Sequence, residues 1–136
     1  MIRPSYNSDL SRVALALRSI RSKREVSHAL CGHEWTNGLE VIERLPGWKG
    51  RYFHSANMTF AHYEFAVGSS IHEHFHPEEE VYEVIEGELE VTIDDKPQIV
   101  KPGVVAIVPA NSRHSVRALT DGRLIVVDQP ARPDFG

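Results

Sequence analysis

Cysteine is almost missing: the 136 residues hold one, Cys31. A single thiol excludes an internal disulfide framework and suits a reducing cytoplasm. Nothing around it spells a cysteine motif, so it reads as a small apolar residue rather than a nucleophile. Long hydrophobic runs are missing too, and none approaches the ~20 residues of a membrane span. The first nine residues carry no apolar stretch of a secretory leader. The expectation is a cytoplasmic protein with no membrane partner. Neither sign of charge dominates, with a net charge of −4. At 41% apolar and 25% charged residues, the chain has the balance of one soluble domain, long enough to bury a core.

The charge that is present is unevenly placed. Residues 1–30 hold six basic and two acidic side chains, a balance of +4 that leaves −8 for the rest. Leu10, Val13, Ala14, Leu17 and Ile20 recur at helical spacing, with Arg12, Arg18 and Arg21 off that stripe. The spacing predicts an amphipathic helix over 8–23, packed on its own domain or on a second copy. This helix has no partner with which to form a helix-turn-helix, and no nucleic-acid partner is expected. Residues 31–57 carry Gly32, Gly38, Pro46, Gly47 and Gly50, and read as turns and loop.

From residue 58 the period changes to two. Short β-like runs fall at 58–66, 71–76, 81–85, 88–93, 98–100, 104–108, 114–119 and 124–128. Turn chemistry separates them, at Asp94-Asp95-Lys96-Pro97 and at Thr120-Asp121-Gly122 among others. Eight short strands at this spacing indicate an antiparallel sandwich or barrel.

One stretch, Ser70-Ile-His-Glu-His-Phe-His-Pro-Glu-Glu-Glu80, has two readings. His72-Glu73-x-x-His76 matches the helical signature of zinc proteases. Yet Gly68 lies just upstream, and Pro77 drives His76 away from helical angles, so no adequate helix is available. As a strand, alternation points His72, His74 and His76 the same way, about 6.6 Å apart between neighbours. Two imidazoles at that spacing can converge on one ion with bonds of about 2.1 Å.

The strand reading resembles the cupin family. Gly68, His74, His76, Glu80 and Gly87 fill that family's first motif, G-x5-H-x-H-x3,4-E-x6-G, without a gap. Gly103, Pro109, Asn111 and His114 resemble its second motif, G-x5-P-x-G-x2-H-x3-N. Asn111 stands where Gly is usual, and tolerates the same left-handed turn; Ala118 stands where Asn is usual. The resemblance covers 58–128 and implies an all-β double-stranded β-helix, the jelly-roll or cupin barrel. Residues 1–57 would be a helix-and-loop extension packed on the barrel, and 129–136 a tail.

The resemblance also implies a divalent transition metal held by His74, His76, Glu80 and His114. His72, outside the pattern, is expected beside the ligands or at the barrel mouth. Three imidazoles and one carboxylate suit Fe, Mn, Ni, Co or Zn. Such an ion polarises a carbonyl, acidifies a bound hydroxyl or, if iron, activates dioxygen. Parity within the family pattern puts Tyr63 on the same face as Phe65, a candidate acid/base at the barrel wall. The tail, Leu124-Ile-Val-Val-Asp128-Gln-Pro130-Ala-Arg132, resembles the last strand of the pectin-degradation cupin that linearises an unsaturated uronate. Arg132 matches that family's Arg; the acid's place falls on Val126, and Glu80 stands where Gln is usual. The expectation is a metal-dependent oxygenase, isomerase or lyase acting on a small oxygen-rich metabolite, as a homodimer. The rivals are a non-catalytic metabolite-binding or sensing cupin and the uronate-linearising activity.

Overall fold

The structure is a computed structural model and describes residues 36–134. The helix expected over 8–23 and Cys31 lie outside the described residues. After a 3-10 turn at Thr36–Gly38 come ten strands: β1 (Ile42–Leu45), β2 (Trp48–His54), β3 (Thr59–Phe65), β4 (Ser70–His74), β5 (Glu79–Glu86), β6 (Leu89–Ile93), β7 (Lys96–Val100), β8 (Val105–Val108), β9 (His114–Ala118) and β10 (Gly122–Gln129). They form two antiparallel sheets, ordered β1-β2-β3-β10-β5-β8 and β4-β9-β6-β7. The expected all-β double-sheet fold is the observed one.

Alternation builds the core between the sheets. Leu89, Val91 and Ile93 of β6 face inward while Glu90 and Thr92 face out, as the period of two requires. Leu124, Val126 and Asp128 do the same on β10. The β6–β7 hairpin turns on Asp94 and Asp95, at φ 45° and 66°. Two left-handed residues in succession match the twist of the flanking strands. Pro97 is harmless because β7 is a sheet edge. Asn111 takes the expected left-handed conformation, at φ 63°.

Two expectations need correction. The first is the loop reading of 31–57, because residues 42–54 form β1 and β2 and extend the larger sheet. Trp48, Gly50, Tyr52 and His54 alternate inward on β2, and all four are buried. Gly50 marks a space rather than a turn. A Cβ there would lie 2.6 Å from the Tyr52 hydroxyl and 2.7 Å from its ring, so the missing side chain is where that ring folds back.

The second correction concerns β4. Between Ile71 and His74 the pairing with β9 slips by one residue, a β-bulge. Ile71 meets Val116 and His74 meets His114, so residues three apart face one way. The simple alternation that grouped His72 with His74 is broken, and His72 is exposed.

The Tyr52–Gly50 contact can be tested. Gly50→Ala is expected to destabilise the fold by about 1–3 kcal/mol, the cost of overpacking. Gly38→Ala, where an added Cβ meets nothing within 4 Å, is expected to stay within about 0.5 kcal/mol of wild type. Urea denaturation of both variants decides; equal effects would mean that the Tyr52 ring yields freely.

Candidate metal centre

Both sheets contribute to one polar cluster. His74 and His114 are cross-strand partners in the smaller sheet, their ring centroids 4.2 Å apart. His76 follows β4, and Glu80 comes inward from β5 of the larger sheet. His76, Glu80 and His114 are buried and His74 is half-buried. One donor atom from each of the four lies within 4.8 Å of the others, so this group can hold a metal ion.

The orientation of each ring is fixed from behind. His74 Nδ1–H donates to the His72 carbonyl (2.8 Å), His76 Nδ1–H to the Glu78 carbonyl (3.1 Å) and His114 Nδ1–H to the Ser112 carbonyl (2.9 Å). A carbonyl can only accept, so Nδ1 carries the proton and a neutral ring turns its Nε2 lone pair inward. Glu80 Oε2 sits 2.6 Å from His76 Nε2 and 3.1 Å from His114 Nε2. A lone pair that close to a carboxylate oxygen repels it unless a proton or a cation lies among them. The donor set and its geometry therefore fit a cation.

In the metal-free protein a proton shared between Nε2 and Glu80 takes the cation's place, and the protonation equilibria reflect it. Burial pushes the Glu80 carboxyl up, but hydrogen bonds from His114, His76 and Tyr82 outweigh it and hold the pKa at about 2. Burial pulls His114 down, yet its hydrogen bonds to Glu80 and the Ser112 carbonyl leave it raised. His74 is lowered, chiefly by burial.

A cavity of about 280 Å³ opens against the cluster. His72, His74 and Glu80 line it on one side, Trp48, Tyr52, Tyr63 and Tyr82 form an aromatic wall, and Val126 and Arg132 complete it. A larger concavity, about 470 Å³, involves His62, Arg51 and Arg123 and includes none of the metal-centre residues. Tyr63 shares a hydrogen bond with the Tyr52 hydroxyl (3.1 Å), and burial drives its pKa far up. It therefore stays a phenol and serves as a hydrogen-bonding group. Arg132 Nη1 lies 3.7 Å from Asp128 Oδ1, and its Nε 3.8 Å from Glu78 Oε2.

All seven sequence-predicted site residues thus meet at one end of the sandwich. Sequence reasoning missed Trp48 and Tyr52, which lay in the supposed loop, and Tyr82, whose parity with Glu80 two residues before it was the available signal. Asp128 was read only as a displaced acid of the tail. It is 1% exposed, neither oxygen has a hydrogen-bond partner among the described residues, and it pairs in register with Glu80.

The cupin-domain family profile matches residues 61–129. No curated protein matches the chain. Among solved structures, an RmlC-like cupin from Shewanella frigidimarina is 26% identical at a TM-score of 0.72, over 78% of this chain and 97% of that one. KdgF from a Halomonas species is 20% identical at a TM-score of 0.73, over 78% and 99%. A predicted oxalate decarboxylase from Thermotoga maritima is 22% identical at a TM-score of 0.63, over 73% and 99%. The last two likenesses establish the fold alone.

Asp128 generates a pH prediction for the metal-free protein. Burial, then the Glu80 charge, push its pKa from 3.8 up to about 7, against the pull of Arg132. Across that window the folded chain holds a proton that the unfolded chain has released, so stability falls as pH rises. Asp128→Asn removes this titration. Its stability relative to wild type is expected to rise between pH 4 and pH 7, by on the order of 2 kcal/mol. Urea denaturation with chelator at both ends of the window measures it, and a pH-independent difference would refute the assignment.

Proposed function

We propose that this chain, which belongs to the cupin family, is a metal-dependent enzyme acting on a small, oxygen-rich metabolite. The observation that carries this reading is the inward convergence of three carbonyl-braced imidazoles and the Glu80 carboxylate beside a cavity of about 280 Å³. His74, His76, Glu80 and His114 would hold the ion, which supplies Lewis acidity or, as iron, access to dioxygen chemistry. This volume lies at the lower edge of known ligand sites and suits a metabolite. Around the ion's place, Tyr63 offers a neutral hydrogen-bonding hydroxyl and Arg132 a cation for a carboxylate or enolate oxygen.

Within this reading, uronate linearisation is disfavoured. The position expected to bear its acid is Val126, an apolar part of the cavity wall, and Asp128 sits one inward step further along β10. An oxygenase or a redox-neutral isomerase or lyase remains. The proposal includes a homodimer, supported by an apolar row on the outer face of the larger sheet. Phe53, Phe60, Val127, Val81 and Ile107 are successive cross-strand partners there, and Ile107 is 58% exposed. Light scattering from full-length protein at micromolar concentration is expected to give twice the chain mass; a monomer excludes the dimer.

Metal analysis of protein purified without chelators tests the centre. About one transition metal per chain is expected, cut sharply by His76→Ala or His114→Ala and left near wild type by His72→Ala. Loss of metal in His72→Ala alone would overturn the ligand set. A metabolite screen with the native ion then separates the chemistries. Dioxygen uptake marks an oxygenase, turnover under argon an isomerase or lyase, and tight binding without turnover a binding cupin.

A further inference from the structure

The connection from β4 to β5, Phe75-His-Pro-Glu78, carries His76 of the metal centre and one glutamate that differs from its neighbours. Glu73 and Glu79 are exposed, whereas the Glu78 side chain is 16% exposed and turns back to His76. Pro77, with its φ locked by the ring, sets the bend between them. His76 Nδ1 therefore meets two acceptors of one residue, the Glu78 carbonyl at 3.1 Å and the carboxylate Oε2 at 3.3 Å. The same Oε2 lies 3.8 Å from Arg132 Nε, so the guanidinium attracts the carboxylate that faces His76. Arg132 is itself pinned, by its backbone N–H on Thr59 Oγ1 at 2.7 Å and by Asp128 Oδ1 at 3.7 Å. The main chain of His76 is fixed as well, its carbonyl accepting the Asn111 N–H at 2.8 Å.

His74 and His114 are braced differently, for among the described residues the acceptor behind each Nδ1 is a backbone carbonyl. A carboxylate behind a ligating imidazole fixes the ring and strengthens its donation to the ion, and losing such a partner typically costs about 10–100-fold in metal affinity. We propose that Glu78 is a positioning residue of the metal centre, its carboxylate aiming and strengthening His76 as a ligand while Arg132 holds that carboxylate in place. This rests on the metal-centre reading above. Glu78 is not itself a ligand. Its Oε2 faces Nδ1 of His76, whereas the ligating nitrogen is Nε2, which lies 2.6 Å from Glu80 Oε2.

The test uses full-length protein with cobalt(II) as the probe. Chelator competition reads affinity, the visible spectrum reads the ligand field, and a thermal melt of the metal-free protein reads folding. Glu78→Gln keeps the size and the backbone carbonyl but removes the charge. It is expected to bind cobalt ~10-fold more weakly, with a shifted visible band and an unchanged metal-free melt. Glu78→Asp keeps the charge on a shorter stem and is expected to recover part of the loss. Glu79→Gln removes an equal charge one residue away, where it is exposed and screened by water, and is expected to change affinity by no more than about twofold. Wild-type affinity in Glu78→Gln, an equal loss in Glu79→Gln or a loss that Glu78→Asp does not relieve overturns the role of Glu78 and leaves the metal centre standing. A lowered metal-free melt in Glu78→Gln beside an unchanged cobalt spectrum marks a purely structural part and overturns it too. Failure of wild type to bind cobalt overturns both readings.

Discussion

Glu80 Oε2 is held 2.6 Å from one imidazole nitrogen and 3.1 Å from another, inside a β-sandwich. That packing is affordable only with positive charge at its centre, because a buried, uncompensated carboxylate costs several kcal/mol. Much of the surrounding structure serves this contact. The carbonyls of His72, Glu78 and Ser112 turn three rings, the Tyr82 hydroxyl steadies the carboxylate, and the β4 bulge brings His74 opposite His114. The centre also ties the two sheets together, since Glu80 belongs to one and His74 and His114 to the other.

The sandwich is polar at this end and apolar elsewhere, and sheet register arranges the division. One transverse row on the inner face of the larger sheet reads His54, Thr59, Asp128 and Glu80 across four strands. The next reads Tyr52, Ala61, Val126, Tyr82 and Ala106 across five. Two residues along each strand separate a row that carries charge from a row that packs. His54 Nδ1 and Thr59 Oγ1 lie 2.6 Å apart, and Thr59 Oγ1 also accepts the Arg132 backbone N–H at 2.7 Å. Polar burial among the described residues is thus concentrated at the end that carries the His/Glu cluster.

Legibility in the sequence followed the same division. The motif glycines, histidines and Glu80 stand at the spacings of the cupin motifs, so the resemblance named the ligand group before the fold was seen. β6 was legible because Leu89, Val91 and Ile93 alternate without interruption. β2 was not, because Gly50 and the preceding Pro46-Gly47 spell a turn to any local rule. Only the Tyr52 ring, packed into the space that Gly50 leaves, explains why a glycine sits in a strand. The β4 bulge was invisible for a related reason: nothing in Ile71-His-Glu-His74 announces an extra residue, and the slip is set by pairing with β9. The helix expected over 8–23 rests on periodicity alone and lies outside the described residues.

These failures have a functional consequence. The legible part of the chain forms the centre that can hold an ion, and the illegible part, β1–β2, adds Trp48 and Tyr52 to a cavity wall shared with Tyr63, Tyr82 and Val126. An ion needs a fixed set of donors at fixed distances, and that demand leaves a regular trace in spacing. A cavity wall needs only shape, which a gap such as that at Gly50 can supply from many sequences. His74, His76, Glu80 and His114, the group that can hold an ion, are therefore the readable part of the site. The hairpin beside them shapes the cavity through Trp48 and Tyr52, and shape of that kind leaves no fixed spacing to read.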